Sequence, residues 1–173
     1  MPIHYGPLDH MRRTRLSRHD LGGMLDATFL SCGVLLTAYL MLVGGAMAEV
    51  AFRHVFGDKP LDVSPKPGEQ FTAAVTEFHK SGQNPYDGDK RALEEGKKIY
   101  ADFCQACHLP DGSGRMGATL TGDRHVYERV TNDVGLFEVV FGGAAGAMQP
   151  FGKRLTQDQI LKVMVYVRTL MKK

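Results

Sequence analysis

The chain has 173 residues, 43% of them hydrophobic, and a formal net charge of +2. That length suffices for one ordinary domain plus an additional segment, with a core that needs no disulfide staples. A charge so near neutrality gives no electrostatic footprint for nucleic acid and says little about a protein partner.

The additional segment stands at the front. Arg12, Arg13, Arg15 and Arg18 lie in a polar lead, an uncharged run follows from Ala27 to Gly45, and Ala46-Met47-Ala48 closes it. Basic flank, apolar stretch and small-x-small exit are the layout of a secretory signal, so residues 1–48 are predicted to be a signal peptide cut after Ala48. The lead is long, which makes Met11 an alternative start. Left uncut, the apolar run would just span a bilayer, and a membrane-anchored form is the competing reading. Cys32 lies inside the run instead of ending it, which argues against a lipid anchor. Cleavage leaves Cys104 and Cys107 as the remaining thiols, so a disulfide framework is excluded. The mature segment then carries seventeen basic and sixteen acidic side chains.

Residues 49–68 hold three prolines and no clear period, which predicts an extended lead-in lying along the surface. From Glu69 to Ser81, Phe71, Ala74, Val75 and Phe78 recur at helical spacing, with Gly82 as the C-terminal stop. A turn cluster, GQNPYDGD, leads to a helix over 90–103, with Ala92, Gly96, Ile99, Tyr100 and Phe103 on one stripe. Glycine there costs roughly 1 kcal/mol relative to alanine, so its place on the buried stripe implies a second helix pressed close. A glycine-rich loop follows, PDGSGRMGATLTGD, and then a short helix from Asp133 to Phe141 with Leu136, Phe137 and Val140 inward. The last helix has the sharpest start: Thr156 and Gln159 form a capping-box pair, and Leu155 with Ile160 supplies the hydrophobic staple. Ile160, Leu161, Met164, Val167 and Met171 form its apolar face. No strand pattern of any length is visible, so the mature domain is predicted to be all-α.

Cys104-Gln105-Ala106-Cys107-His108 is the attachment signature for haem c. Residues three apart on a helical turn share a face, so two sulfurs reach the two vinyl groups along one haem edge while His108 offers its imidazole to the iron. Two other readings weaken. A dithiol redox motif normally opens a helix after a strand, and this one closes a helix. A structural zinc site wants four ligands, whereas His54, His79 and His125 are scattered singly.

For the second axial position Met148 is the candidate, between Gly146-Ala147 and Pro150, where no helical period explains it as core. Met116 is the runner-up, and His125 would give a bis-histidine iron. Met164 and Met171 read as packing. A His108/Met148 pair leaves no position for substrate and raises the reduction potential, which favours electron transfer over catalysis. Arg115, Arg124 and Tyr127 are candidate contacts for the haem propionates. If Met148 does not bind iron, a haem peroxidase or sensor is the alternative; if residues 27–45 stay attached, the alternative is a membrane-anchored haem subunit of a respiratory complex.

These residues resemble the class I cytochromes c: a haem motif near the end of the first core helix, a methionine loop some forty residues on, and a capped final helix. Gly96 and Tyr100, with Tyr166, resemble that fold's crossing of first and last helices. A narrower resemblance runs from about Phe71 to Leu170, through TEFHKSGQNPY, KKIYADFCQACHLPDGSGRMG, GLFEVVFGGAAGAMQPFG and QDQILKVMVYVRTL. These runs resemble the electron acceptors of periplasmic methanol dehydrogenase, cytochrome c(L) and its relative XoxG, with the near-neutral charge and the form GRMGATL closer to XoxG.

The resemblance implies a class I cytochrome c fold, haem-centred, with residues 49–89 as an N-terminal extension containing one helix and residues 90–173 as the cytochrome c domain. It implies a periplasmic electron carrier and not an enzyme. Its partners would be a PQQ-dependent methanol dehydrogenase, of the lanthanide type, and a downstream cytochrome c, with no membrane anchor once the signal is cut. Two departures from the class I pattern stand out. Met116-Gly117 falls where many relatives have Gly-Pro beside the proximal histidine, and Gln149 separates Met148 from Pro150.

Overall fold

Residues 49–172 are described by the computed structural model of the chain, and the signal segment expected over 1–48 lies outside them. Helix α1 spans Ala73–Ser81. The Thr72 hydroxyl accepts the Val75 N–H at 3.3 Å, and Gly82, with φ of 70°, closes the other end. The helix therefore starts four residues later than its apolar spacing suggests. Glu69 is used elsewhere, its carboxylate accepting the Gln157 N–H at 2.7 Å.

Helix α2 spans Lys90–Phe103, capped by Asp89, whose carboxylate accepts the N–H groups of Arg91 and Ala92. A single turn, α3, follows over Gln105–His108. A 3-10 turn, Glu128–Thr131, was not legible in the sequence; α4 then spans Asp133–Gly142 behind an Asn132 cap. Helix α5 spans Gln157–Met171 and carries the full capping box, with Leu155 and Ile160 both buried as the staple requires. Among the described residues the sole extended pairing is an isolated bridge between Arg53 and Pro60, so the fold is all-α. No helix among them is long and apolar enough to cross a membrane.

The frame is the crossing of α2 and α5. A Cβ placed on Gly96 would lie 2.1 Å from the Lys162 carbonyl oxygen, so only glycine lets the two backbones touch. Tyr100 and Tyr166 pack beside it with ring centroids 5.0 Å apart. Lys162 closes the edge, 2.8 Å from both Glu95 and Asp158.

The lead-in is extended, but it does more than follow the surface. Phe52 and Leu61 belong to the buried core, and the Phe52 ring lies 5.2 Å from Phe137 and 5.7 Å from Phe78. Alternation of apolar and polar residues is too irregular there to announce burial; tertiary packing alone selects these two side chains. Residues 49–172 belong to one compact unit.

Candidate haem site

The end of α2 delivers the motif. The Cys104 N–H still bonds to the Tyr100 carbonyl at 2.9 Å, while the Cys104 carbonyl accepts the N–H groups of Cys107 and His108 at 3.1 and 3.0 Å. Cys104, Cys107 and His108 thus ride on one tight turn, each half-buried. Leu109 breaks it with φ of 63°, an uncommon conformation for a bulky residue. Its carbonyl is held by the Tyr100 hydroxyl at 2.7 Å.

The loop then folds back on itself. Gly114 N–H donates to the His108 carbonyl and Gly117 N–H to that of Cys107, both at 3.0 Å. This return lays Gly117 against the imidazole, where a Cβ would stand 2.7 Å from His108 Cε1. His108 Nδ1 lies 2.8 Å from the Ala118 carbonyl oxygen. A carbonyl can only accept, so the proton sits on Nδ1 and Nε2 keeps its lone pair for a metal. Gly117 and Ala118 are thus the residues set against the imidazole, the one by close approach and the other by its carbonyl. Met116, the alternative ligand, is 68% exposed.

Burial, and secondarily the neighbouring Cys107, pushes the Cys104 thiol up to about 12. Such a thiol stays protonated at neutral pH, unlike the acidic thiol of a dithiol oxidoreductase.

Met148 sits in a second loop that begins at Gly143, whose φ of 81° turns the chain sharply after α4. Ala144 N–H donates to the Met148 carbonyl at 3.2 Å, and the exit is tied to α4 by Phe151 N–H to Val140 and Gly152 N–H to Phe141. The Tyr127 hydroxyl accepts the Ala145 N–H at 3.1 Å. Phe151 meets Phe103 edge-on at 6.5 Å, and the Arg154 guanidinium covers both rings at 5.2 and 5.5 Å. The residue before Cys104 thereby touches the residue three beyond Met148. Cys104 and Met148 both pack against the main apolar cluster, as do Leu120 and Tyr127.

Of the propionate candidates, Tyr127 is half-buried and tied to the methionine loop, whereas Arg115 and Arg124 are exposed. His125 is half-buried. Met164 is fully buried in the core, as its helical register implies. Sequence reasoning missed the Phe103–Phe151–Arg154 stack and the Ala118 acceptor, since a backbone carbonyl leaves no mark in a sequence. The donor set fits a haem: two thiols on one turn, an imidazole with its outer nitrogen fixed, and a thioether in a loop tied to the same helix end. Among the described residues no three His, Cys, Asp or Glu side chains gather to hold a bare metal ion.

Residues 91–167 match the family described as cytochrome C oxidase, cbb3-type, subunit III. A much longer match is to cytochrome c-L of Methylorubrum extorquens, 37% identical over 156 residues, which cover 90% of this chain and 79% of that protein. The chain belongs to the cytochrome c-L family. Solved structures agree. Cytochrome CL from the marine methylotroph Methylophaga aminisulfidivorans superposes with a TM-score of 0.69 at 34% identity, over 71% of this chain and 82% of that one. Cytochrome cL from Hyphomicrobium denitrificans gives 0.68 at 38% identity, over 72% and 76%. As a cytochrome c-L homologue with the class I fold, the chain is an electron-transfer protein whose cofactor is haem c.

Proposed function

We propose that the protein is a periplasmic monohaem carrier that accepts single electrons from a PQQ-dependent methanol dehydrogenase, of the lanthanide type, and passes them to a downstream cytochrome c. The observation that carries the electron-transfer part is the fixed imidazole: with Nδ1 engaged by Ala118, Nε2 has one use left. Haem c, when bound, supplies a one-electron couple. Cys104 and Cys107 would hold it covalently, and His108 Nε2 and the Met148 sulfur would bind its iron. Two such side-chain ligands would leave no coordination site for a substrate.

Tyr127, whose oxygen accepts from Ala145, keeps its own proton to donate to a propionate, and the exposed Arg115 and Arg124 are free to swing toward the same group. Family membership over nine-tenths of the chain supports the dehydrogenase as partner, and the form GRMGATL, which resembles XoxG, supports the lanthanide type. The cleaved form, starting at Glu49, is the one that acts; an intact mass including residues 27–45 would make it a membrane-anchored cytochrome instead.

Two measurements test this. Met148→Ala is expected to abolish the long-wavelength sulfur-to-iron band of the ferric protein and to open the ferrous protein to carbon monoxide; an unchanged spectrum removes Met148 as ligand. Mixing the wild type with purified lanthanide or calcium methanol dehydrogenase and methanol should reduce the haem, faster with the lanthanide enzyme. No reduction by either would refute the partner.

A further inference from the structure

We propose that the N-terminal arm, residues 52–66, braces the methionine loop from outside and sets how firmly Met148 is retained. The inference rests on the reading that Met148 binds the iron. The arm turns back on itself through His54 N–H to Lys59 and Leu61 N–H to Phe52, at 2.8 and 3.0 Å. Its first turn is tied to α4, the helix that leads into the loop. Arg53 N–H donates to Glu138 Oε1 at 2.6 Å, and Arg129 bridges Glu138 Oε2 at 3.1 Å to Asp58 Oδ1 at 3.6 Å. Glu138 is only 4% exposed, so its charge needs these partners.

The arm then reaches the loop's two ends. At the entry, a Cβ on Gly142 would stand 3.4 Å from Leu61 Cδ1 and 3.5 Å from His54 Nδ1, so the arm rests on the last residue of α4. Past the exit, Lys66 Nζ donates to the Leu155 carbonyl at 2.6 Å. Between these two anchor points a cleft runs under the arm, walled by His54, Leu61, Phe141, Pro150 and Gly152. A loop whose flanks are held at Gly142 and Leu155 has less freedom to swing away, and an external ligand must displace it to bind. Loosening either anchor makes that displacement easier.

The experiment is imidazole titration of the purified ferric holo-protein, followed through the long-wavelength band, beside thermal melts. Leu61→Ala and Lys66→Met are expected to tighten imidazole binding, by roughly tenfold for Leu61→Ala, equal to ~1.4 kcal/mol. Leu61→Met, which keeps the volume, should restore wild-type affinity. Val75→Ala, a buried change in α1, should lower the melting temperature and leave the affinity alone. If Val75→Ala tightens imidazole as much as Leu61→Ala does, the effect is global and the brace is refuted. If Leu61→Ala and Lys66→Met both bind imidazole like the wild type while Met148→Ala loses the band, the brace fails and the ligand assignment stands. If Met148→Ala itself keeps the band, the ligand assignment fails first.

Discussion

The loop that follows His108 is closed by its own backbone: Gly114 and Gly117 donate to His108 and Cys107, six and ten residues back. The loop around Met148 also closes on local backbone, through Ala144 to Met148 and through Phe151 and Gly152 to the end of α4, but it is gripped in addition from elsewhere in the chain: Tyr127 holds Ala145, Phe103 meets Phe151, and the arm rests on Gly142. A loop of the first kind keeps its shape when distant packing loosens. One of the second kind is only as firm as the elements that grip it. The imidazole is therefore the fixed side of this site and the thioether the side that yields.

The largest test strikes the frame both loops share. Gly96→Val puts side-chain atoms into the Lys162 backbone and is expected to cost ~3 kcal/mol, read from denaturant unfolding. If the contrast holds, the sulfur-to-iron band is lost at a lower denaturant concentration than helical circular dichroism. Gly117→Ala acts on the histidine side alone. Its methyl meets the ring at 2.7 Å, and the tight local loop has little room to give, so a loss of about 1–3 kcal/mol with an altered haem spectrum is expected. Wild-type spectrum and stability would show that this loop is soft after all.

Tyr127→Phe sharpens the contrast from the other side. Losing the acceptor for Ala145 should cost about 1 kcal/mol and speed hydrogen exchange at that amide, while the Gly117 amide stays as protected as before. The smallest effect lies outside both loops. Burial pushes the Asp158 carboxyl up, but hydrogen bonds from Lys162, Tyr86 and Thr72 outweigh it and hold the group below its ordinary value. Its stabilisation is therefore present above the ordinary carboxylate range and lost as pH falls through the lowered folded value. Asp158→Asn should flatten that acid limb by under ~1 kcal/mol and affect the two loops alike.

The parts of this protein that were legible in its sequence are those written in local spacing. The α2 boundaries, the capping box of α5, the turn carrying Cys104, Cys107 and His108 and the Gly96 crossing all follow from residues within a turn or two of one another. What escaped was tertiary. Phe52 and Leu61 are core residues in a segment without a period, and Glu138 looks like a stray charge in an apolar run until Arg129 and the Arg53 amide are found beside it. The Ala118 acceptor escaped because its decisive atom is a main-chain oxygen.

The α2–α5 contact joins segments separated by some fifty residues. A chain emerging amino end first from ribosome or export channel presents Cys104, Cys107 and His108 well before Gln157–Met171 exists to dock on α2. Were haem joined to Cys104 and Cys107 as proposed, that interval before the final helix docks on α2 would be the time when their turn is least enclosed.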